Sequence, residues 1–125
     1  MHKLPQQVLE AWNKRTGPVV FATVDGRGVP NIIYATCVKR YDESTIVIAD
    51  NYFDKTKQNI QNGSEGSVLF ITESKQAYQV KGEIGYHTNG EIFDDMKLWN
   101  PKQHPGHAAA ALKVREVYSG STRLE

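Results

Sequence analysis

The stretch Asp50-Asn51-Tyr52-Phe53-Asp54-Lys55-Thr56-Lys57-Gln58-Asn59 concentrates an ammonium and a hydroxyl at the start of a helix-forming segment, Lys55 to Gln61, which Asn62-Gly63 closes. Immediately before it runs Thr45-Ile46-Val47-Ile48-Ala49, apolar on both faces as a central strand is. A strand that turns straight into a helix aims the first free amide N–H groups, and the positive end of the helix dipole, at one point. That point suits a phosphate. Lys55 and Thr56 fall in the first turn and add side-chain donors, with Lys57 and Asn59 extending the donor-rich rim. The same residues fit a plainer reading, in which Asp54 is an N-cap and the lysines form an ordinary solvated helix surface. The segment alone leaves both open.

Other reactive side chains are sparse. The single cysteine, Cys37, has no partner for a disulfide or a Cys-x-x-Cys motif and reads as a small buried strand residue. Of the four histidines, His2, His87, His104 and His107, the last two form His-Pro-Gly-His in a loop. No neighbouring cysteine or carboxylate pair completes a metal site there, so no metal is expected, and the loop reads as a lid reaching over from a partner chain or as a solvent-exposed connection. Gly-x-Gly-x-x-Gly and Gly-x-Ser-x-Gly patterns are missing, which argues against a Rossmann domain and a hydrolase elbow.

The elements that must position these groups are mostly strands. Pro5 to Arg15 predicts a helix with Val8, Leu9 and Trp12 on one face. Strands follow at Val19 to Val24, Asn31 to Arg40, Thr45 to Ala49, Ser67 to Thr72, Ala77 to His87 and Ala108 to Tyr118. Asp25-Gly26-Arg27-Gly28 joins the first two as a hairpin, and two hairpins in a row predict a meander. Ile92, Met96 and Trp99 mark a further helix ended by Asn100-Pro101, with Trp12 and Trp99 packing into the core. The pattern is one mainly-β domain over residues 1–125, a barrel or sandwich with a few short helices. At this length folding buries roughly two thirds of the extended chain's surface, enough for a single core.

The formal charge of +1 creates no global field for nucleic acid or an anionic membrane, and no apolar run approaches the roughly 20 residues of a membrane span. A cytoplasmic protein with neither partner is the expectation.

The ordered series Tyr41-Asp42-Glu43, Ile46-Val47-Ile48, Lys55-Thr56-Lys57-Gln58-Asn59, Val68-Leu69-Phe70, Tyr78-Gln79-Val80-Lys81-Gly82 and Lys113-Val114-Arg115-Glu116-Val117-Tyr118 resembles the pyridoxamine 5′-phosphate oxidase-like family of FMN-binding split barrels. The resemblance covers roughly Pro18 to Tyr118. It implies a six-stranded antiparallel split β-barrel that dimerises with itself and holds FMN at the subunit interface. By the same likeness, Lys55 and Thr56 hold the FMN phosphate, Tyr34, Ala35 and Thr36 run under the ribityl chain and ring, and Ala49, Asp50 and Asn51 border the ring. Gln79 reaches toward the site, from the partner subunit in one arrangement.

Two positions depart from the family pattern. Its oxidases often carry arginine at the position of Tyr34 and a basic residue at that of Asp54, so here the phosphate leans on Lys55, Thr56 and backbone donors, or on Arg40 or Lys57 in a shifted register. The vitamin-B6 oxidases also carry an arginine and histidine pair near the C-terminus, and Ser121-Thr122-Arg123-Leu124-Glu125 has none. The expectation is an FMN-dependent oxidoreductase or electron carrier with a small-molecule donor or acceptor other than pyridoxamine phosphate. The alternative is a flavin- or haem-binding storage or sensor protein without turnover.

Overall fold

The computed structural model describes residues 2–125. In chain order the elements are α1 (Gln6–Trp12), β1 (Val19–Val24), β2 (Pro30–Ala35), β3 (Val38–Asp42), β4 (Thr45–Asp50), α2 (Lys55–Gln61), β5 (Gly66–Ile71), β6 (Ala77–His87), α3 (Glu91–Trp99), β7 (Ala108–Ser119) and β8 (Thr122–Arg123). The strands form one antiparallel sheet in the order β2-β1-β5-β6-β7-β4-β3, with β8 a two-residue addition to β7. The sheet curls around a core that contains Phe21, Ile46, Ile48, Val68, Val80 and Leu112. This is the split barrel.

The number of strands differs from the expected six because Asn31 to Arg40 is two strands. Ala35 pairs with Val19 while Val38 pairs with Ile48, so Thr36 and Cys37 carry the chain from one hairpin to the other. The meander fails for the same reason: β2 and β3 end at opposite limits of the strand order, and β1 takes β5 as its second neighbour. Neither glycine nor proline marks the break, which is why the apolar pattern ran through it.

β4 is buried at every position because it is covered on both faces. Ile46 and Ile48 point into the barrel with Ala110 and Leu112, whereas Val47 and Ala49 pack with Ala109, Ala111 and Met96 of α3. Small alanines on β7 let the helix approach the sheet closely. At the other side α1 contributes Val8, Ala11 and Trp12, and the Trp12 ring meets Phe70 edge-on at 5.1 Å. β6 and β7 shift register at Lys81/Gly82, where a side chain on Gly82 would overlap the Lys113 carbonyl.

Candidate functional site

The break between the hairpins opens a cleft of about 400 Å³. Its floor is the end of β2 with Thr36 and Cys37, its far edge is the end of β4, and its wall is the turn from Asn51 to Thr56. That volume falls within the usual range for small-molecule sites.

The turn is shaped by Asp50, which is 1% exposed. Its Oδ1 accepts the Phe53 N–H at 3.0 Å, and its Oδ2 accepts the Tyr86 hydroxyl at 2.5 Å. Burial first, then the hydrogen bond to Asp50 and its charge, push the Tyr86 phenol well above the usual tyrosine range. Tyr86 is therefore a permanent donor to this carboxylate at neutral pH. The reversal delivers the chain to α2, whose first ladder bond runs from the Gln58 N–H to the Asp54 carbonyl.

Asp54 occupies the N-cap position, yet its side chain caps no amide. Instead its carboxylate accepts Gln58 Nε2 at 3.2 Å and lies 3.6 Å from Lys55 Nζ. The first-turn amides of α2 receive no side-chain cap, as those of α1 and α3 receive none. Thr56 is fully buried and its Oγ1 accepts a hydrogen bond from Asn31 Nδ2 at 3.0 Å, tying α2 to β2 beneath the cleft.

Seven of the nine residues named from the sequence line the cleft: Tyr34, Ala35, Thr36, Ala49, Asn51, Lys55 and Thr56. Asp50 lies below them as the organiser of the turn. Gln79 lies elsewhere, half-buried on β6, where it accepts the Ser67 hydroxyl at 2.7 Å. Lys57 and Arg40 are outside the cleft lining, so neither replaces Lys55 there. Asn59 does not extend the donor rim, because it is buried and donates from Nδ2 to Thr23 Oγ1 at 3.0 Å.

Sequence reasoning did not assign Asn31, Ile33, Cys37, Phe53 or His104 to the site, although all of them line it. Cys37 is half-buried at the strand break rather than a core residue. The Pro-Gly-rich loop carried a signal for His104, and the structure brings that loop over the cleft from the same chain, with Tyr52 Oη 3.1 Å from His104 Nδ1. Trp99 packs against the α3-side core and donates from its indole to Asp95 at 3.3 Å. Among the described residues, no three His, Cys, Asp or Glu side chains cluster to hold a metal ion.

Chemically the cleft combines an apolar floor and wall, from Ile33, Ala35, Ala49 and Phe53, with amide, hydroxyl and ammonium donors at one end. Such a donor set fits a flat aromatic ring carrying a phosphorylated tail. The sequence profile of the pyridoxamine 5′-phosphate oxidase family matches residues 4–120, so the chain belongs to that family. An uncharacterised protein of Methanocaldococcus jannaschii is 30% identical over 107 residues, covering 81% of this chain and 71% of the relative. Among solved structures, HupZ of Group A Streptococcus superposes with a TM-score of 0.83 at 22% identity, covering 98% of each chain. An FMN-binding protein of Syntrophomonas wolfei subsp. wolfei superposes with a TM-score of 0.77 at 24% identity, covering 90% of this chain and 82% of the other. At these identities the two superpositions establish the split-barrel fold. No helix among the described residues is long and apolar enough to cross a membrane.

Proposed function

We propose that this protein is an FMN-binding redox protein, an oxidoreductase or electron carrier, whose cleft holds the cofactor with its phosphate toward Lys55 and the start of α2. The observation that carries the reading is the apolar cleft that ends at Lys55 and the start of α2, in a chain of this family. FMN supplies the electron chemistry when bound. The chain's own residues supply the rest: Lys55 and the first-turn amides hold the anionic tail, Asn51 and Thr36 offer polar contacts at the cleft's far edge and floor, and Ile33, Ala35 and Phe53 exclude water.

The working form in this reading is a homodimer. The outer face of β2, β1, β5 and β6 exposes Ile32, Tyr34, Leu69 and Ile71, an apolar surface that a second copy would cover. Tyr34 is 77% exposed and also lines the cleft, so covering this face would complete the site. Register places Tyr34, Val20, Leu69, Gln79 and Tyr118 in one row across the sheet, so Gln79 shares with Tyr34 the face that a second copy would cover in this reading. The test is an absorbance spectrum of freshly purified protein, with the released cofactor identified by mass. Flavin bands and an FMN mass are expected; a colourless protein that does not take up added FMN rejects the reading.

A further inference from the structure

We propose that His104 is the group through which this cleft answers negative charge: its imidazole takes up a proton from solvent when the molecule held in the cleft becomes more anionic. The inference rests on the flavin reading above.

Its first support is placement. The loop from Pro101 to His107 is fixed to the end of β4 by buried polar contacts. Asn51 and Asn100, 7% and 4% exposed, exchange amide hydrogen bonds at 3.1 and 2.9 Å. Asn51 Oδ1 also accepts the Gly106 N–H at 2.9 Å, and the Asp50 carbonyl accepts the His107 N–H at 2.8 Å. Behind the loop Lys97 Nζ donates to the Pro105 carbonyl at 2.9 Å. Gly106 adopts φ +54°, with Asn100 Nδ2 and Lys97 Nζ occupying the space a side chain would need. Breaking buried amide pairs is expensive, so this loop is a preset wall and His104 is held at the cleft rather than visiting it.

Its second support is chemical. Tyr52 Oη contacts His104 Nδ1, and a phenol both donates and accepts. The neutral ring can accept from the hydroxyl, and the cation can donate to its oxygen, so the contact survives proton uptake. Tyr52 touches the ring; Asp54 and Lys55 of the turn and Tyr34 and Cys37 of the floor line the same cleft, Lys97 donates to the loop's Pro105 carbonyl and Lys102 to the Lys97 carbonyl, and the Asp50–Tyr86 pair lies below. Of these residue types, imidazole is the one that ordinarily changes charge near neutrality. The fixed charges of the lining, Asp54 and Lys55, lie 3.6 Å apart and offset each other, leaving His104 as the adjustable charge.

Two electrons from an external reductant and one proton convert bound flavin to its reduced anion, while a second proton from solvent forms one N–H bond on His104. No other bond changes at the protein.

The experiment measures the midpoint potential of bound FMN from pH 5.5 to 8.5, with dithionite and redox dyes, in the wild type, His104→Gln and His104→Lys. A second proton per two electrons adds about 30 mV per tenfold change in proton concentration. The wild-type line is expected to steepen by that amount across the imidazole range, approaching the Lys variant at the acid end and the Gln variant at the alkaline end. NMR titration of the His104 ring should shift upward on flavin reduction. Parallel wild-type and Gln lines with an unmoved ring titration overturn the role of His104 alone. Failure of all three proteins to retain FMN overturns the flavin reading, and this inference with it.

Discussion

The cleft's one lysine does its work beside an aspartate. Lys55 and Asp54 are both largely exposed, so their mutual attraction is screened and worth little, and Lys55 stays available to an anion of higher charge. Replacing Lys55 with alanine is expected to weaken FMN by about five- to tenfold, roughly 1 to 1.4 kcal/mol, and to leave riboflavin unchanged. Fluorescence-quenching titrations with the two flavins decide this, since equal losses for both would remove the phosphate from Lys55. Below the cleft, Tyr86→Phe takes a donor from the buried Asp50 carboxylate and should cost about 1 to 3 kcal/mol in urea unfolding at pH 7. The pH dependence has a definite sign. Because the folded state holds the Tyr86 proton more tightly than the ordinary value of 10.0, its stabilisation is complete below that value and declines as pH rises above it. The gap in stability between wild type and Tyr86→Phe should therefore narrow above pH 10, and a constant gap would show that the hydroxyl does not couple to Asp50.

Among the elements, the long β6–β7 pair sets the barrel's geometry through its register shift at Gly82. Any side chain there must displace the Lys113 carbonyl, which is backbone and cannot rotate away. Gly82→Ala is expected to destabilise by about 3 kcal/mol, read as a lower urea midpoint with a lost or displaced bulge in amide exchange. An unchanged midpoint would mean the two strands separate freely at this point. The break between β2 and β3 matters in the opposite way, by leaving a gap. Ala35 and Val38 are three residues apart yet belong to different hairpins, and the cleft exists because Thr36 and Cys37 alone connect them.

At the scale of the whole molecule, the sheet has one face turned to the core and another that leaves Ile32, Tyr34, Leu69 and Ile71 in water. Exposed apolar residues gathered on one face of a sheet, here on β2 and β5 with β1 between them, mark a candidate site of association. In the homodimer reading, Leu69→Lys, a change at a position 42% exposed and outside the core, should leave the monomer folded while shifting sedimentation from dimer to monomer and loosening FMN. A variant that remains dimeric with full flavin affinity would place the interface elsewhere.

The local chain was enough to define α2, whose bounds follow from the helix formers between Asp54 and Asn62, and β4, whose unbroken apolar run requires cover on both faces. The strand-to-helix turn before Lys55 was legible for the same reason: its residues are neighbours in sequence and need only a strand before and a helix after. What only the tertiary structure decided are the contacts between distant segments. Asn31 reaches Thr56, Tyr86 reaches Asp50, and Asn100 with Gly106 reaches Asn51. Periodicity reports which face of an element is buried, and it carries no record of which distant polar group will be met there. For that reason Asn59 reads as a rim donor although its bond to Thr23 buries it, and the His104 loop, read as a lid from a partner chain or an exposed connection, is fixed by the buried Asn51–Asn100 pair over the cleft of its own chain.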